Sequence, residues 1–433
     1  MNDTDICLVK QNALLKTPAI FKETWPNMKA ILIADKNTYP AAGEAVQALF
    51  EKHSIEHKVF IFEDEGVIPA DYEYVELVKK QLKHNDYVPV AIGSGTINDL
   101  VKRAAFEEER SYMVVATAPS VDGYTAYGAA INVDGFKMTL PCDAPKVIIG
   151  DAAILTSAPY PMIASGYADL SAKIPAGADW FIADGLKIEK MVPRIFDMVQ
   201  KDLRDTLANP KLLIEKDEET ILKLFNGLAS VGYAMQAYKD SRPASGAEHM
   251  VSHIWEMNHL SLNGEPVSHG FKVAIGTLIS TAFITELLKL STEEIKELIE
   301  KHKPETWEER EQKIQTAFED SPALEGALKM SKAKFTKDLT KRHQILIKNW
   351  EKIKEKVTKQ IIPFEELKAM YIEAKVPTQP KEIAVSKELF IKGVTLAQMI
   401  RTRYTSFDLA YELGLFESIL RTVQENYFSE FAK

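Results

Sequence analysis

Four of the nine histidines fall between residues 249 and 269, around the stretch GAEHMVSHIWEMNH. His249 and His253 are four residues apart, which on a helix places both imidazoles on one face, one turn from each other. His259 lies ten residues beyond His249 and falls off that face. His269 opens the next helical segment, so its ring can return toward the pair. The spacing indicates a cluster of imidazoles with metal-binding potential.

Two or three imidazoles with one carboxylate are the ligand set of a divalent metal that keeps one position open for substrate or water. The stretch GYADLSAK offers Asp169, on a predicted helix, as that carboxylate. Ordinary helix positions would explain the histidines as well, and an ion pair with Lys173 one turn on would explain Asp169. Spacing alone leaves both interpretations open. We also expect the first histidine helix to end at LNGEP with Gly264 as its C-cap, and Ser268 to cap the next.

A second constellation is the glycine-rich segment YVPVAIGSGTINDLVK. An apolar strand runs into the Gly-Ser-Gly loop at 93–95, and a helix opens near Thr96; such a loop and helix N-terminus suit a phosphate. The third glycine of the usual dinucleotide pattern is missing, because residue 98 is Asn, and the acidic strand end Asp35 precedes the glycines instead of following them. Asp35 can still bond an adenosine ribose. The pattern favours nucleotide binding over two unrelated turns.

A third constellation is VVATAPSVDGYTAYGAAI, in which a predicted strand ends near Thr117. Ser120 and Asp122 follow before Gly123. Small residues and hydroxyls after the carboxyl end of a strand suit a loop that lies along a ligand. A plain Asp-Gly turn explains the same residues equally well.

The elements that must position these residues change along the chain. In the first third, apolar segments such as AILIAD and KVIIGD alternate with amphipathic helical segments, which predicts a mostly parallel sheet. Beyond about residue 158 the segments follow helical periodicity, and the Lys- and Glu-rich stretch 291–376 has the pattern of solvated helix faces. We therefore predict an α/β nucleotide-binding domain over residues 1–157 and an all-helical, metal-binding domain over residues 158–433.

Composition narrows the class of protein. With 46% hydrophobic and 27% charged residues the chain has a globular composition. A net charge of -9 and a pI near 5.7 argue against nucleic acid as the main partner. Cys7 and Cys142 allow neither a disulfide framework nor a cysteine-based zinc site. The sequence shows no signal-peptide pattern and no apolar run near the roughly 20 residues of a membrane span, so we expect a cytoplasmic protein.

Taken together, these segments resemble the iron-containing alcohol dehydrogenase and dehydroquinate synthase superfamily, and within it the bacterial branch of the sn-glycerol-1-phosphate dehydrogenase family. The matching segments, in family order, are GSGTINDLVK, TAPSVDGYTAYGA, GYADLSAK, GAEHMVSH, SHGFKVAIG and IRTRYTSFDLAYELG. They span most of the chain, although only helix is recognisable over residues 290–380. The resemblance implies an N-terminal α/β domain for a nicotinamide cofactor, a C-terminal helical domain for the metal, and catalysis in the cleft between them.

The resemblance also implies a reaction, the reversible NAD(P)-dependent reduction of dihydroxyacetone phosphate to sn-glycerol 1-phosphate. Its implied metal ligands are Asp169, His249 and His269. One divalent metal per subunit is expected; zinc suits these ligands, and nickel or ferrous iron suit them nearly as well.

The remaining site residues are also carried over from the family motifs. The substrate contacts are Asp122, Asp169 and His253, of which Asp122 and His253 are the catalytic candidates, with His253 on the proton path. The residues that line the cofactor are Gly93, Ser94, Gly95, Thr96, Ile97, Thr117, Ser120 and Ala126, with Asp35 at the adenosine ribose.

Two features bear on the cofactor. Ala126 stands where some family members carry a serine near the nicotinamide, and an alanine cannot make that serine's hydrogen bond. Asp35 favours NAD over NADP because it would repel a 2′-phosphate, although Lys36 beside it can offset part of that repulsion. A homodimer is expected because such assemblies are common in the superfamily.

Three alternative functions share the same scaffold. A dehydroquinate synthase-like cyclase would use a Glu as first ligand and a Ser-Ser-x-Gly-Gly-Lys loop, where this chain has Asp169 and PSVDGYTAYGAA. A glycerol-type polyol dehydrogenase would act on a substrate without phosphate, and the Lys or Arg that should meet a phosphate is not identified by the sequence. A non-catalytic sugar-phosphate-binding protein would bind without turnover.

Overall fold

The computed structural model describes residues 3–64, 66–336, 338–428 and 430–431. The chain forms two compact units. Of the described residues, the first comprises those in 3–133, 137–170 and 201–241, and the second comprises those in 134–136, 171–200 and 242–431. These units group residues by packing, and the predicted division at residues 157 and 158, which separates a cofactor domain from a metal domain, stays a prediction.

The strands are short and are concentrated in the first unit. In chain order they are Ile6–Lys10 (β1), Ala30–Asp35 (β2), His57–Phe62 (β3), Val88–Gly93 (β4), Met113–Ala116 (β5), Ala129–Val133 (β6), Phe136–Leu140 (β7), Val147–Asp151 (β8), Ser261–Leu262 (β9) and Glu265–Pro266 (β10).

Helices account for most of the remaining chain. Up to residue 240 they are Thr17–Thr24 (α1), Glu44–Lys52 (α2), Tyr72–Leu82 (α3), Gly95–Glu107 (α4), Ala152–Ser157 (α5), Tyr160–Ser171 (α6), Lys173–Gly185 (α7), Pro193–Gln200 (α8), Leu203–Leu207 (α9), Pro210–Ile214 (α10) and Glu218–Tyr238 (α11). Beyond it they are Ala247–Met257 (α12), His269–Leu287 (α13), Thr292–Lys301 (α14), Trp307–Ala317 (α15), Leu324–Lys334 (α16), Thr340–Gln360 (α17), Phe364–Glu373 (α18), Lys387–Ala397 (α19), Ser406–Glu412 (α20) and Phe416–Asn426 (α21).

The first unit is built on a parallel sheet. Within the described residues this sheet has six strands in the order β1-β8-β5-β4-β2-β3, and every pairing is parallel. The central strands are buried along their length, since helices cover a parallel sheet on both faces, and this explains their continuous apolar sequence. The predicted α/β fold with a mostly parallel sheet is confirmed.

The order of the strands reverses beside β2. From β2 the chain passes to β3 on one side and then crosses to β4 on the other. In open parallel sheets, ligands bind outside the carboxyl ends of the strands at such a switch point. Here those ends are Asp35 of β2 and Gly93 of β4.

The second unit is mostly helical. Its most apolar helix is α13, which has 19 residues and a mean hydropathy of 1.3. Among the described helices it alone is long and apolar enough to cross a membrane by length and composition, but 83% of it is buried inside the protein, as in a core helix. The capping boxes of Ser291 with Glu294 and of Thr306 with Glu309 start α14 and α15.

Two expectations about local structure change. The helix with the histidine pair ends at Met257 instead of continuing to LNGEP, and residues 261–266 form a small antiparallel ribbon. Gly264 lies in the turn of that ribbon with φ of +87°, which is easily reached only by glycine. The prediction of Gly264 as a C-cap was therefore wrong, whereas Ser268 does cap α13, because its hydroxyl accepts from the N–H of Phe271.

The two cysteines lie in the first unit. Cys7 is on β1, and Cys142 follows β7. Burial raises the pKa of the Cys7 thiol and raises that of Cys142 to about 12. Neither of the two forms a disulfide.

Candidate functional site

The glycine loop at the end of β4 is tightly packed. A Cβ on Gly93 would lie 2.6 Å from Cβ of Ile97, and a Cβ on Gly95 would lie 2.7 Å from Cγ2 of Val121. Neither glycine has a positive φ, so it is close approach and not an unusual backbone angle that requires glycine here. Helix α4 begins at Gly95, and no acidic side chain occupies its first turn. Its N–H groups are thus suited to an anion such as a phosphate.

The loop after β5 is joined to this glycine loop. The N–H of Thr117 donates to the carbonyl of Gly93 at 3.1 Å. Thr117 and Ser120 are both mostly buried. The predicted cofactor residues that follow β4 and β5 therefore lie close together, at the carboxyl ends of these two neighbouring strands.

A buried lysine fixes the turn that carries Asp122. Residues Asp122–Thr125 form a short 3-10 turn. Nζ of Lys102, which is fully buried, donates to the carbonyl oxygens of Gly123 at 2.7 Å and of Ala126 and Gly128 at 3.1 Å. Ala126, the predicted position near the nicotinamide, is thus held by its main chain. Sequence reasoning missed Lys102.

Asp35 closes its own turn at the end of β2. Its Oδ1 accepts from the N–H groups of Asn37 at 2.9 Å and Thr38 at 2.7 Å, and its own N–H donates to the Thr38 hydroxyl. This carboxylate therefore shapes the loop, and it stands beside the switch point, where the predicted ribose contact would be made.

Helix α6 holds Asp169 against the loop of Asp122. A Cβ on Gly166 would overlap the carbonyl oxygen of Pro119, so only glycine lets the helix come this close. The N–H of Asp122 donates to Oδ2 of Asp169 at 3.0 Å. Asp169 is completely buried. Two predicted substrate residues are therefore in direct contact.

The histidines converge where α12 meets α13. A Cβ on Gly276 of α13 would overlap the carbonyl oxygen of Glu248 on α12. This close packing sets the ring centroids of His249 and His269 5.5 Å apart, and that of His253 lies 6.3 Å from His249 and 6.2 Å from His269. His259 is exposed in the turn after α12, outside this cluster.

Each histidine of the cluster is bonded to a carboxylate through Nδ1. Nδ1 of His249 lies 2.9 Å from Oε1 of Glu248. Nδ1 of His253 lies 3.1 Å from Oε2 of Glu256, and Nδ1 of His269 lies 2.7 Å from Oε1 of the same residue. A carboxylate only accepts, so Nδ1 carries a proton in each ring, and in the neutral form of the ring Nε2 is the nitrogen with the lone pair.

Burial and neighbouring charges shift the pKa values of Glu256 and His253. Burial by itself would raise the pKa of Glu256, but the charge of Lys272 and the hydrogen bonds from His269 and His253 hold it well below its usual range. Burial lowers the pKa of His253 to about 3, against the opposing effect of Glu256, and the positive charge of Arg401 lowers it further. The ring of His253 is thus neutral at neutral pH.

The three predicted ligands are divided between the two units: Asp169 belongs to the first, and His249 and His269 belong to the second. Their chemistry fits a divalent metal, because the set combines a buried carboxylate with two imidazoles whose Nδ1 atoms are already occupied by carboxylates.

The carboxylates Glu248 and Glu256 were not foreseen from the sequence. A usable signal was present, since Glu256 follows His253 by three residues and therefore shares its face of the helix. In an otherwise apolar helix, an acid on the histidine face indicates a partner for an imidazole.

Comparison with known proteins gives consistent results. Residues 8–159 match the family model described as iron-containing alcohol dehydrogenase. The chain is 34% identical over 254 residues to the glycerol-1-phosphate dehydrogenase (NAD(P)+) of Halalkalibacterium halodurans, covering 58% of this chain and 63% of that protein. It is 33% identical over 268 residues to the protein of the same name from Bacillus velezensis, covering 61% and 68%. The match to the first relative thus spans less than two thirds of its length.

A solved structure extends the similarity of fold to the whole chain. The iron-containing alcohol dehydrogenase of Thermococcus thioreducens superposes with a TM-score of 0.62, covering 97% of this chain and 99% of that one. Sequence identity is 12%, so this similarity concerns the fold.

Proposed function

Because the chain belongs to the glycerol-1-phosphate dehydrogenase family of the iron-containing alcohol dehydrogenases, we propose that it reversibly reduces dihydroxyacetone phosphate to sn-glycerol 1-phosphate with NAD(P)H. The C2 carbonyl takes up a hydride and a proton, and NAD(P)+ is released. The observation that carries the proposal is the pair of predicted ligand imidazoles, His249 and His269, whose ring centroids lie 5.5 Å apart and whose Nδ1 atoms are each bonded to a carboxylate.

The cofactor is assigned to the carboxyl edge of the sheet. The glycine loop at 93–95 and the first turn of α4, with Thr96 and Ile97, would receive the pyrophosphate, and Thr117 and Ser120 would line the nicotinamide half. Asp35 would bond the adenosine ribose and disfavour a 2′-phosphate. The cofactor supplies the hydride, and these residues bind and orient it.

The metal is assigned to Asp169, His249 and His269, with zinc, nickel and ferrous iron all suited to these ligands. When bound there, a divalent metal supplies Lewis acidity toward the C2 oxygen of the substrate. The carboxylates of Glu248 and Glu256 would hold the proton of each neutral ligand ring on Nδ1, which leaves Nε2 as the nitrogen that can bind the metal.

The proton path is assigned to His253. In the oxidation direction its neutral Nε2 would accept the hydroxyl proton, directly or through water, and in the reduction it would return that proton. The carboxylate of Asp122, held beside Asp169 by its main chain, would orient the substrate.

A phosphate on the substrate is favoured by the charges around the histidines. Lys272 lies 3.6 Å from Glu256, and the charge of Arg401 acts on His253. Phosphate is recognised by such cations, whereas plain glycerol or dihydroxyacetone would need none. This favours the phosphorylated substrate over the alternative polyol dehydrogenase. A cytoplasmic location, a homodimer and no nucleic-acid partner complete the proposal.

The decisive experiment compares two substrates. The purified, metal-loaded protein would be mixed with NADH and either dihydroxyacetone phosphate or dihydroxyacetone, and NADH oxidation followed by absorbance. We expect a strong preference for the phosphorylated substrate, loss of activity with a chelator, and recovery on adding back metal. The stereochemistry of the product would then identify sn-glycerol 1-phosphate.

Other outcomes would point elsewhere. Turnover of dihydroxyacetone alone would identify a polyol dehydrogenase. Tight binding of dihydroxyacetone phosphate without turnover in the metal-loaded protein would identify a binding protein on the same scaffold.

A further inference from the structure

The carboxylate of Glu256 is bonded to two rings of the histidine cluster. Its Oε2 accepts from Nδ1 of His253 and its Oε1 accepts from Nδ1 of His269. One of these rings belongs to a proposed metal ligand and the other to the proposed proton path. A single carboxylate is therefore bonded both to a proposed metal ligand and to the proposed proton-transfer residue.

The bridge requires the charged form of the side chain. Only an ionised carboxylate can accept a hydrogen bond from a ring N–H at each of its two oxygens without presenting a donor. The Glu256 side chain is 11% exposed, and Nζ of Lys272 lies 3.6 Å from Oε1. Lys272 is itself held by the carbonyl of Val267 at 2.8 Å, which fixes a positive charge beside the bridge.

Glu248 provides an internal contrast on the same helix. Its Oε1 accepts both from Nδ1 of His249 and from the N–H of Gly246 at 2.6 Å. A glutamine there keeps an acceptor oxygen for both donors. At Glu256 the two donors meet different oxygens, so a glutamine can accept from one ring only and must turn its amide donors toward the other.

We propose that Glu256 is a positioning residue that couples metal binding to proton transfer by fixing the tautomers of His269 and His253 together. This inference rests on the proposed function for the role of His253. An amide in place of the carboxylate forces one of the two rings to carry its proton on Nε2, and that ring then loses the lone pair directed at metal or substrate.

The test compares Glu256→Gln with Glu248→Gln. For Glu256→Gln we expect zinc affinity about 10- to 100-fold weaker in a chelator competition, which is the usual cost of losing a carboxylate partner of a ligand histidine. With zinc then added to saturation, we expect kcat to stay reduced about 10-fold or more while KM changes little, because the proton path remains disturbed. For Glu248→Gln we expect a loss of metal affinity of about fivefold, since a neutral acceptor bonds about half as strongly as a charged one, and recovery of kcat at saturating zinc.

Two further measurements detect the hydrogen bonds of Glu256 to the two rings without relying on turnover. Long-range 1H–15N spectra report which nitrogen of each histidine ring carries the proton, and the peak missing in His253→Ala assigns His253. The parent protein should show Nδ1–H for His253. In Glu256→Gln the spectrum should change at His253 or at His269. The visible absorption of the cobalt-substituted protein should change in Glu256→Gln and less in Glu248→Gln.

A folding defect is controlled by Glu256→Asp, which keeps the charge and should retain the parent tautomers. Unchanged ring tautomers together with unchanged metal affinity in Glu256→Gln would overturn the inference, and so would full recovery of kcat by zinc alone. If the parent protein binds zinc but reduces no dihydroxyacetone phosphate, the proposed function fails, while the tautomers and the cobalt spectrum still decide whether Glu256 forms the bridge.

Discussion

The glycine loop at 93–95 and the histidine cluster are built by different means. The glycine loop is shaped by main chain and by space: two glycines leave no room for a Cβ, and a carbonyl of one loop accepts from an N–H of the next. The histidine cluster is shaped by side chains, since every ring is oriented by a buried carboxylate. Substitutions should therefore act through shape in the first region and through hydrogen bonding and charge in the second.

Removing a ligand of the histidine cluster should have the largest effect. We expect His249→Ala to lose metal and activity together, with a loss of rate beyond the roughly 10⁴-fold upper range of acid–base catalysis, because the substrate oxygen loses its electrophile. Metal content by mass spectrometry and NADH oxidation measure the two effects. His259→Ala, at an exposed histidine outside the cluster, is the matched control and should keep both. Full metal stoichiometry in His249→Ala would refute the ligand assignment.

His253→Ala should separate chemistry from metal binding within the same cluster. The metal should remain, because His253 is outside the ligand set, while kcat falls about 10²- to 10⁴-fold for lack of a proton path. Metal analysis beside steady-state kinetics is the measurement. A variant that lost its metal as completely as His249→Ala would show that His253 is itself a ligand.

A change at the glycine loop should act through shape alone. In Gly95→Ala the new Cβ would press on Val121, and we expect cofactor affinity to fall about 10-fold, in keeping with the usual 1–3 kcal/mol cost of overpacking. Metal content should be normal. The double variant Gly95→Ala with Val121→Ala removes the obstruction and should recover most of the affinity, as measured by NADH fluorescence. If the double variant binds no better than the single one, crowding is not the cause.

The smallest effect is expected at Asp35. Asp35→Asn should shift the ratio of kcat/KM for NADH and NADPH about fivefold toward NADPH, since one charge near the surface acts on a phosphate with about 1 kcal/mol. Steady-state kinetics with both cofactors measure the ratio. An unchanged ratio would place the adenosine ribose away from this carboxylate.

The sequence predicted the main-chain features of this molecule well. The alternation of apolar strands and helices identified the parallel sheet, and Ser268 was recognised as a cap because these patterns are local. It missed the ribbon at 261–266, because its two-residue strands carry no periodicity and NG turns resemble helix ends.

For the candidate site, residue types predicted which side chains take part better than spacing predicted which of them lie close together. The four-residue spacing of His249 and His253 predicts that their rings share a helix face. Only the structure shows that the ring centroids of His269 and His249 lie 5.5 Å apart. Gly166 and Gly276 belong to the motifs identified in the sequence. Glycine is needed at these positions because each helix backbone approaches a carbonyl oxygen of a segment distant in sequence, which only the structure shows. The roles of Glu248, Glu256 and Lys102 likewise depend on tertiary packing, which one sequence does not encode locally.

The state of the two thiols has a practical consequence for metal analysis. Because the thiolate is the form that oxidants and metals attack, a cysteine whose pKa is raised by burial reacts more slowly near neutral pH than an exposed one. The protein can therefore be handled without dithiothreitol or mercaptoethanol, reagents that compete for zinc and nickel. Metal stoichiometries measured in buffers without these reagents would not be lowered by their competition for the metal.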